Sequence, residues 1–82
     1  MNDNGKVNLV KLLNELEDNF GLEDFYAITV WLNSPEISMQ GYFTDNNLKI
    51  AKALNINLEF KDSFLKGYSE NGIIKMVLST NN

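Results

Sequence analysis

Cysteine, histidine and arginine are all missing from these 82 residues, and each absence removes a class of chemistry. Without cysteine there is no disulfide, no thiolate-ligated zinc and no thiol nucleophile. Without histidine the chain lacks the side chain best matched to proton transfer near neutral pH, and with it the commonest metal ligand. All seven basic residues are lysine, so no planar guanidinium is available for bidentate recognition of phosphate or guanine. The net charge of −4 adds long-range repulsion from a polyphosphate backbone, which argues against direct nucleic-acid binding.

Glycine and proline are also sparse. The five glycines are dispersed, so neither G-x-x-x-x-G-K-[ST] nor G-x-G-x-x-G occurs, and no G-x-S-x-G elbow is present. Adjacent acids such as Glu23 and Asp24 lack an apolar setting that would separate their proton affinities. The expectation is a non-catalytic protein with no cofactor and no metal. No apolar run approaches the ~20 residues that cross a bilayer, and the leading MNDNGKVN lacks the basic-then-apolar pattern of a secretory signal. A cytoplasmic protein with no membrane partner is therefore expected.

What is present reads as one folded unit. An apolar fraction of 44% with 22% charged residues is ordinary for a globular domain, here spanning 1–82 with 1–4 and 80–82 frayed. Leu9, Leu12, Leu13, Leu16 and Phe20 recur at helical spacing, with Val10 near the stripe. That helix should begin near Gly5 or Lys6 and end at Asn19 or Phe20, with Gly21 as a left-handed cap and Leu22 folding back. Thr44 is a good N-cap for a second, shorter helix carrying Leu48, Ala51 and Leu54 on its inner face, widened by Ile50. Asn55 would terminate it, and Ile56 would pack back.

Between the helices, AITVWLNSPEISMQGYFT (residues 27–44) alternates twice around a Pro-containing turn, which predicts a hairpin. Its expected register sets Leu32 against Ile37, Val30 against Met39 and Ile28 against Gly41. One face is apolar. The other carries Thr29, Trp31, Ser38, Gln40 and Tyr42, and among such neighbours Trp31 is either an anchor for a partner or a residue covered by its own chain.

Downstream, Ile56, Leu58 and Phe60 alternate with polar residues as a half-buried strand, and Asp62-Ser63 marks a turn. Asn71-Gly72 between alternating runs predicts a type I′ hairpin that pairs Ser69 with Ile74, Gly67 with Met76 and Leu65 with Leu78 on the core face. Phe64, Lys66, Tyr68, Ile73, Lys75 and Val77 then lie on the outer face. Gly67 marks a bulge or a close approach of a helix.

The predicted class is α+β: a two-layer domain, order α-β-β-α-β-β-β, in which a mostly antiparallel five-stranded sheet packs two helices on one face. The opposite sheet face would be open. The residues expected to meet a partner are Thr29, Trp31, Gln40, Tyr42 and Tyr68 on that face, and the acidic cluster Glu17, Asp18, Glu23 and Asp24. The acids serve either a basic partner surface or solubility alone, and EDNFGLED lacks the spacing of an EF-hand loop.

Three function classes follow. The first is a protein-interaction module with another protein as partner. Small acidic domains without histidine or cysteine resemble, in composition, phage and mobile-element accessory proteins that inhibit host enzymes, among them anti-defence inhibitors and immunity proteins. The resemblance implies an inhibitor of a host protein. The second class is a small-molecule or nucleotide-binding protein at an oligomer interface, using Trp31, Tyr42, Tyr68 and Lys66 or Lys75. The third is self-assembly as a homodimer through outer faces or an exposed edge.

Overall fold

The structure, a computed structural model, describes residues 4–31 and 33–80. Its elements are α1 (Asn4–Asn19), β1 (Phe25–Trp31), β2 (Glu36–Tyr42), α2 (Asp45–Ala53), β3 (Glu59–Lys61), β4 (Phe64–Tyr68) and β5 (Ile74–Ser79), the α-β-β-α-β-β-β order read from sequence. The five strands form one sheet in the order β1-β2-β5-β4-β3. Three of its neighbouring pairs are antiparallel, and β2 lies parallel to β5 at the centre. The parallel pair arises because α2 carries the chain to the far edge, from which β3, β4 and β5 return by successive hairpins. Among the described residues no helix is long and apolar enough to cross a membrane.

Both helices cover the same sheet face. Parallel pairing aligns Ile37 with Ile74, Met39 with Met76 and Gly41 with Leu78. Leu9 and Leu16 of α1 and Ile50 and Ala51 of α2 close over these residues in a single cluster. Met39, Met76 and Leu78 have no exposed surface, and each such side chain contributes about 1.5–3 kcal/mol relative to exposure. Leu12, Leu13 and Phe20 pack more loosely against the cluster, whereas Val10 is exposed.

The helix ends follow the sequence expectation. Gly21 takes φ 83°, and its N–H reaches the carbonyls of Leu16 and Glu17. The Thr44 hydroxyl accepts from the Asn47 N–H at 3.1 Å, Asn55 turns left-handed at φ 57°, and the Ile56 N–H returns to the Ala51 carbonyl at 2.8 Å. The inner face of α2 is the expected one except at its first position, which Asn47 takes in place of Leu48. Asn47, Ile50 and Ala51 are buried and Leu54 packs against the core, while Leu48 is exposed.

Several strand details differ from expectation. Val30 stands opposite Ile37, Ile28 opposite Met39 and Trp31 opposite Glu36, so the β1–β2 register is offset by two from the expected one. The expected Leu32–Ile37 pair involves a residue outside the described set. The connection between Trp31 and Glu36 is centred on Asn33-Ser34, one residue earlier than the expected Ser34-Pro35, and Pro35 stays in the turn, where its missing N–H costs no ladder bond. An offset of two preserves which side chains share a face. A bulge between Phe25 and Ala27 inserts Tyr26 as an additional residue. β3 is only Glu59–Lys61 and wholly exposed, because it lies at the sheet edge beyond the helices. Phe60 is thus not a half-buried strand residue.

The β4–β5 register is the expected one, with Gly67 opposite Met76 and Leu65 opposite Leu78. Its turn is not type I′. Of Asn71 and Gly72 only Gly72 has positive φ, at 75°, and its N–H bonds the Ser69 carbonyl at 2.8 Å. The Asn71 carboxamide instead accepts from the Ile73 N–H and the Ser69 hydroxyl, a local side-chain turn. Ile73 thereby leaves the strand alternation and packs against the core, not on the outer face. Gly67 is not at a bulge; the segment around Asn57 passes against it.

Positive φ at both central residues occurs instead at Asp62 (54°) and Ser63 (72°), in the two-residue connection between β3 and β4, as type I′ geometry requires. A left-handed non-glycine residue costs about 1–2 kcal/mol. Ser63→Gly should therefore raise stability by about 1 kcal/mol in denaturant unfolding. A loss of stability would contradict the left-handed backbone there.

Candidate functional site

Combining the strand registers maps the uncovered face as rows across the sheet. Trp31 pairs with Glu36 at one end, next to the row Thr29, Ser38, Lys75, Tyr68. The following row is Ala27, Gln40, Val77, Lys66, Glu59, and the last holds Tyr42, Ser79, Phe64, Lys61. All five sheet residues singled out from sequence, Thr29, Trp31, Gln40, Tyr42 and Tyr68, share this face. Trp31 is 54% exposed, Tyr68 56% and Tyr42 42%.

A common face is not a common site. Glu36 and Tyr42 are six residues apart on β2, so Trp31 and Tyr42 are separated by roughly 20 Å at about 3.3 Å per residue. Tyr68 lies three strands from Thr29, roughly 14 Å away. The aromatic partner of Tyr42 is Tyr26, with ring centroids 5.2 Å apart and planes tilted by 58°. Tyr26 has no sequence signal that would single it out, since only the bulge brings its ring onto this face. Between the aromatic corners the surface is polar, centred on Gln40 and the buried Val77.

At the β5–β4–β3 end of the sheet a groove of about 450 Å³ is lined by Lys61, Lys66 and Lys75 together with Glu59, Tyr68 and Phe60. Lys66 also lies 5.9 Å from the centre of the Phe64 ring. None of these three ammonium groups forms an ion pair among the described residues. Three of the seven lysines of an acidic chain thus line one groove, with Glu59 directly opposite Lys66. Local pattern does not anticipate Lys61 and Phe60 here, because their position depends on the tight β3–β4 turn.

The acidic cluster lies elsewhere. Glu17, Asp18 and Glu23 are exposed at the end of α1 and in the loop that leads into β1. Asp24 differs from them in holding two segments together. Its carboxylate accepts from the Thr44 hydroxyl at 2.9 Å, and its carbonyl accepts from the Tyr42 N–H. A further polar residue without a sequence signal of its own is Asn47, which is fully buried. Its Nδ2 donates to the Asp24 and Tyr42 carbonyls at 3.2 and 2.8 Å, joining α2 to the β1–β2 end of the sheet. Among the described residues no group of three or more acids could hold a metal ion.

Comparison of the chain with protein-family models, with curated proteins and with solved structures returns no match in any of the three.

Proposed function

We propose that this protein is a non-catalytic interaction module whose open sheet face contacts another protein. The observation that supports this most is the exposure of Tyr26, Trp31, Tyr42 and Tyr68 on one face, the face the helices leave uncovered. Aromatic residues of this kind supply most of the energy in protein interfaces, and Thr29, Ser38 and Gln40 between them provide hydrogen-bonding groups. The compositional resemblance to phage and mobile-element inhibitors makes a host protein the proposed class of partner. The absence of cysteine suits a reducing cytoplasm as the place of action.

A Trp31→Ala/Tyr68→Ala double variant should bind the partner about 30-fold more weakly or worse, since an anchor is worth about 2 kcal/mol or more. A Glu17→Gln/Asp18→Asn/Glu23→Gln variant should change mainly the salt dependence of association. Affinity capture with wild type and both variants checks this, and unchanged recovery with both would reject the reading.

The lysine groove favours a second reading, a small anionic ligand such as a nucleotide held by Lys66, Lys75 and Tyr68. Thermal-shift screening against linear and cyclic nucleotides separates the two. A flat response across the panel counts against the ligand.

A further inference from the structure

The two edges of the sheet are unequal. β3 is three residues long and bears Glu59 and Lys61, the charged, short form of edge that resists pairing with another chain. β1 is seven residues, FYAITVW, with no charge and no proline, and no described strand pairs with its outer side. Its one irregularity, the bulge at Phe25–Ala27, affects only its beginning. A strand with these properties is a template for pairing.

We infer that β1 pairs antiparallel with β1 of a second copy, the two-fold axis passing between the two Thr29 residues. Three features of the strand select a second copy as the occupant. First, this register sets Trp31 opposite Ala27 of the other copy on the open face, so the largest side chain meets the smallest. Second, on the helix-covered face Ile28 meets Val30 of the other copy. Both are only partly buried in the single chain, although their neighbours Met39 and Ile37 are almost wholly buried, so the pairing continues the apolar layer across the axis.

Third, the charges are compatible. Asp24, the carboxylate nearest the start of β1, falls level with the uncharged Asn33–Ser34 turn of the other copy, and Glu36 is set back on β2. Pairing therefore avoids the self-repulsion expected of an acidic chain. The result is a ten-stranded sheet in which the two open faces become one surface. This inference is independent of the open-face reading, because a monomer would overturn it and leave that reading standing.

Residues directly opposite in an antiparallel pair have Cα atoms about 4.5–5.5 Å apart, within the range a disulfide spans. The chain has no other cysteine, so Thr29→Cys gives an unambiguous probe, with Glu59→Cys on the opposite edge as control. Under mild oxidation, Thr29→Cys should cross-link nearly completely and Glu59→Cys should not. Wild type should sediment at twice 9.3 kDa, and Thr29→Lys, with unchanged circular dichroism, at the single-chain mass. Equal cross-linking of the two cysteine variants, or a wild type that stays monomeric across a dilution series reaching millimolar concentration, would overturn the inference. If Thr29→Lys does not fold, the two cysteine variants and the wild-type mass decide the matter alone.

Discussion

Replacing Asn47 by alanine should lower the free energy of unfolding by about 1–3 kcal/mol, the cost of a buried group left without its hydrogen-bond partner. The substitution leaves the Tyr42 carbonyl without the Asn47 donor at 2.8 Å. It also removes one of two donors from the Asp24 carbonyl, which keeps the Tyr42 N–H. Against a total of about 4–12 kcal/mol for a domain of this length, that is a large share. Asn47→Asp is the sharper test because two effects oppose each other. Asn47 is three residues beyond the Thr44 cap, where a carboxylate suits the helix dipole and the capping box. Buried and aimed at two carbonyl oxygens, however, the same carboxylate replaces a donor with a charge that has nothing to accept from. Aspartate should therefore destabilise more than alanine in denaturant unfolding near neutral pH. An Asp variant as stable as wild type would show that the amide does not hold α2 to the sheet.

The second large effect is expected at Gly67. In the interior of a strand glycine is normally inferior to alanine by about 0.5–1 kcal/mol, so by local propensity Gly67→Ala should stabilise. The packing predicts the opposite sign. A Cβ at this position would lie 2.5 Å from the Asn57 carbonyl oxygen and 2.9 Å from the Ile56 Cγ2. One obstacle is backbone, and the other is the methyl of a buried side chain, so neither moves aside cheaply. Overpacking of this kind costs about 1–3 kcal/mol, and the upper part of that range is expected here. Because the 56–58 segment leads from α2 into β3, the same variant should disturb the lysine groove, which Asn57 and Gly67 help to line. A stabilised Gly67→Ala would mean that this segment does not rest on β4.

The parts of the fold that were legible in the sequence are those fixed by local chemistry. The leucine stripe located α1, Gly21, Thr44 and Asn55 marked helix ends, and alternation assigned the faces of both hairpins except at Ile73. Even the two-residue error in the β1–β2 register left those faces intact, because faces depend only on parity. Features set by long-range contacts were not legible. The parallel pairing of β2 with β5 joins segments more than thirty residues apart and has no counterpart in local pattern. Asn47 has no signal in the local pattern, because its value lies in two carbonyls supplied by other segments. At Asn71-Gly72, side-chain hydrogen bonds to Ser69 and Ile73 outweighed the preference for type I′, whereas Asp62-Ser63 adopted the positive φ values with neither residue a glycine. Phe60 fitted an alternating strand by pattern, but no helix reaches that edge to cover it. For the candidate site, parity placed Thr29, Trp31, Gln40, Tyr42 and Tyr68 on one face. The spacing between them, the Tyr26–Tyr42 contact and the shared groove of Lys61, Lys66 and Lys75 all required the strand order and the bulge.

Tyr68 on the open face and Val10 on α1 have nearly equal exposure, 56% and 52%, and sit on opposite sides of the domain. Benzoylphenylalanine introduced at each position in turn, followed by photo-cross-linking in the cell of origin, compares the two sides at matched accessibility. A working surface on the open face predicts a discrete covalent adduct from position 68 and none from position 10. Adducts from position 10 alone, or indistinguishable patterns from both, would contradict it.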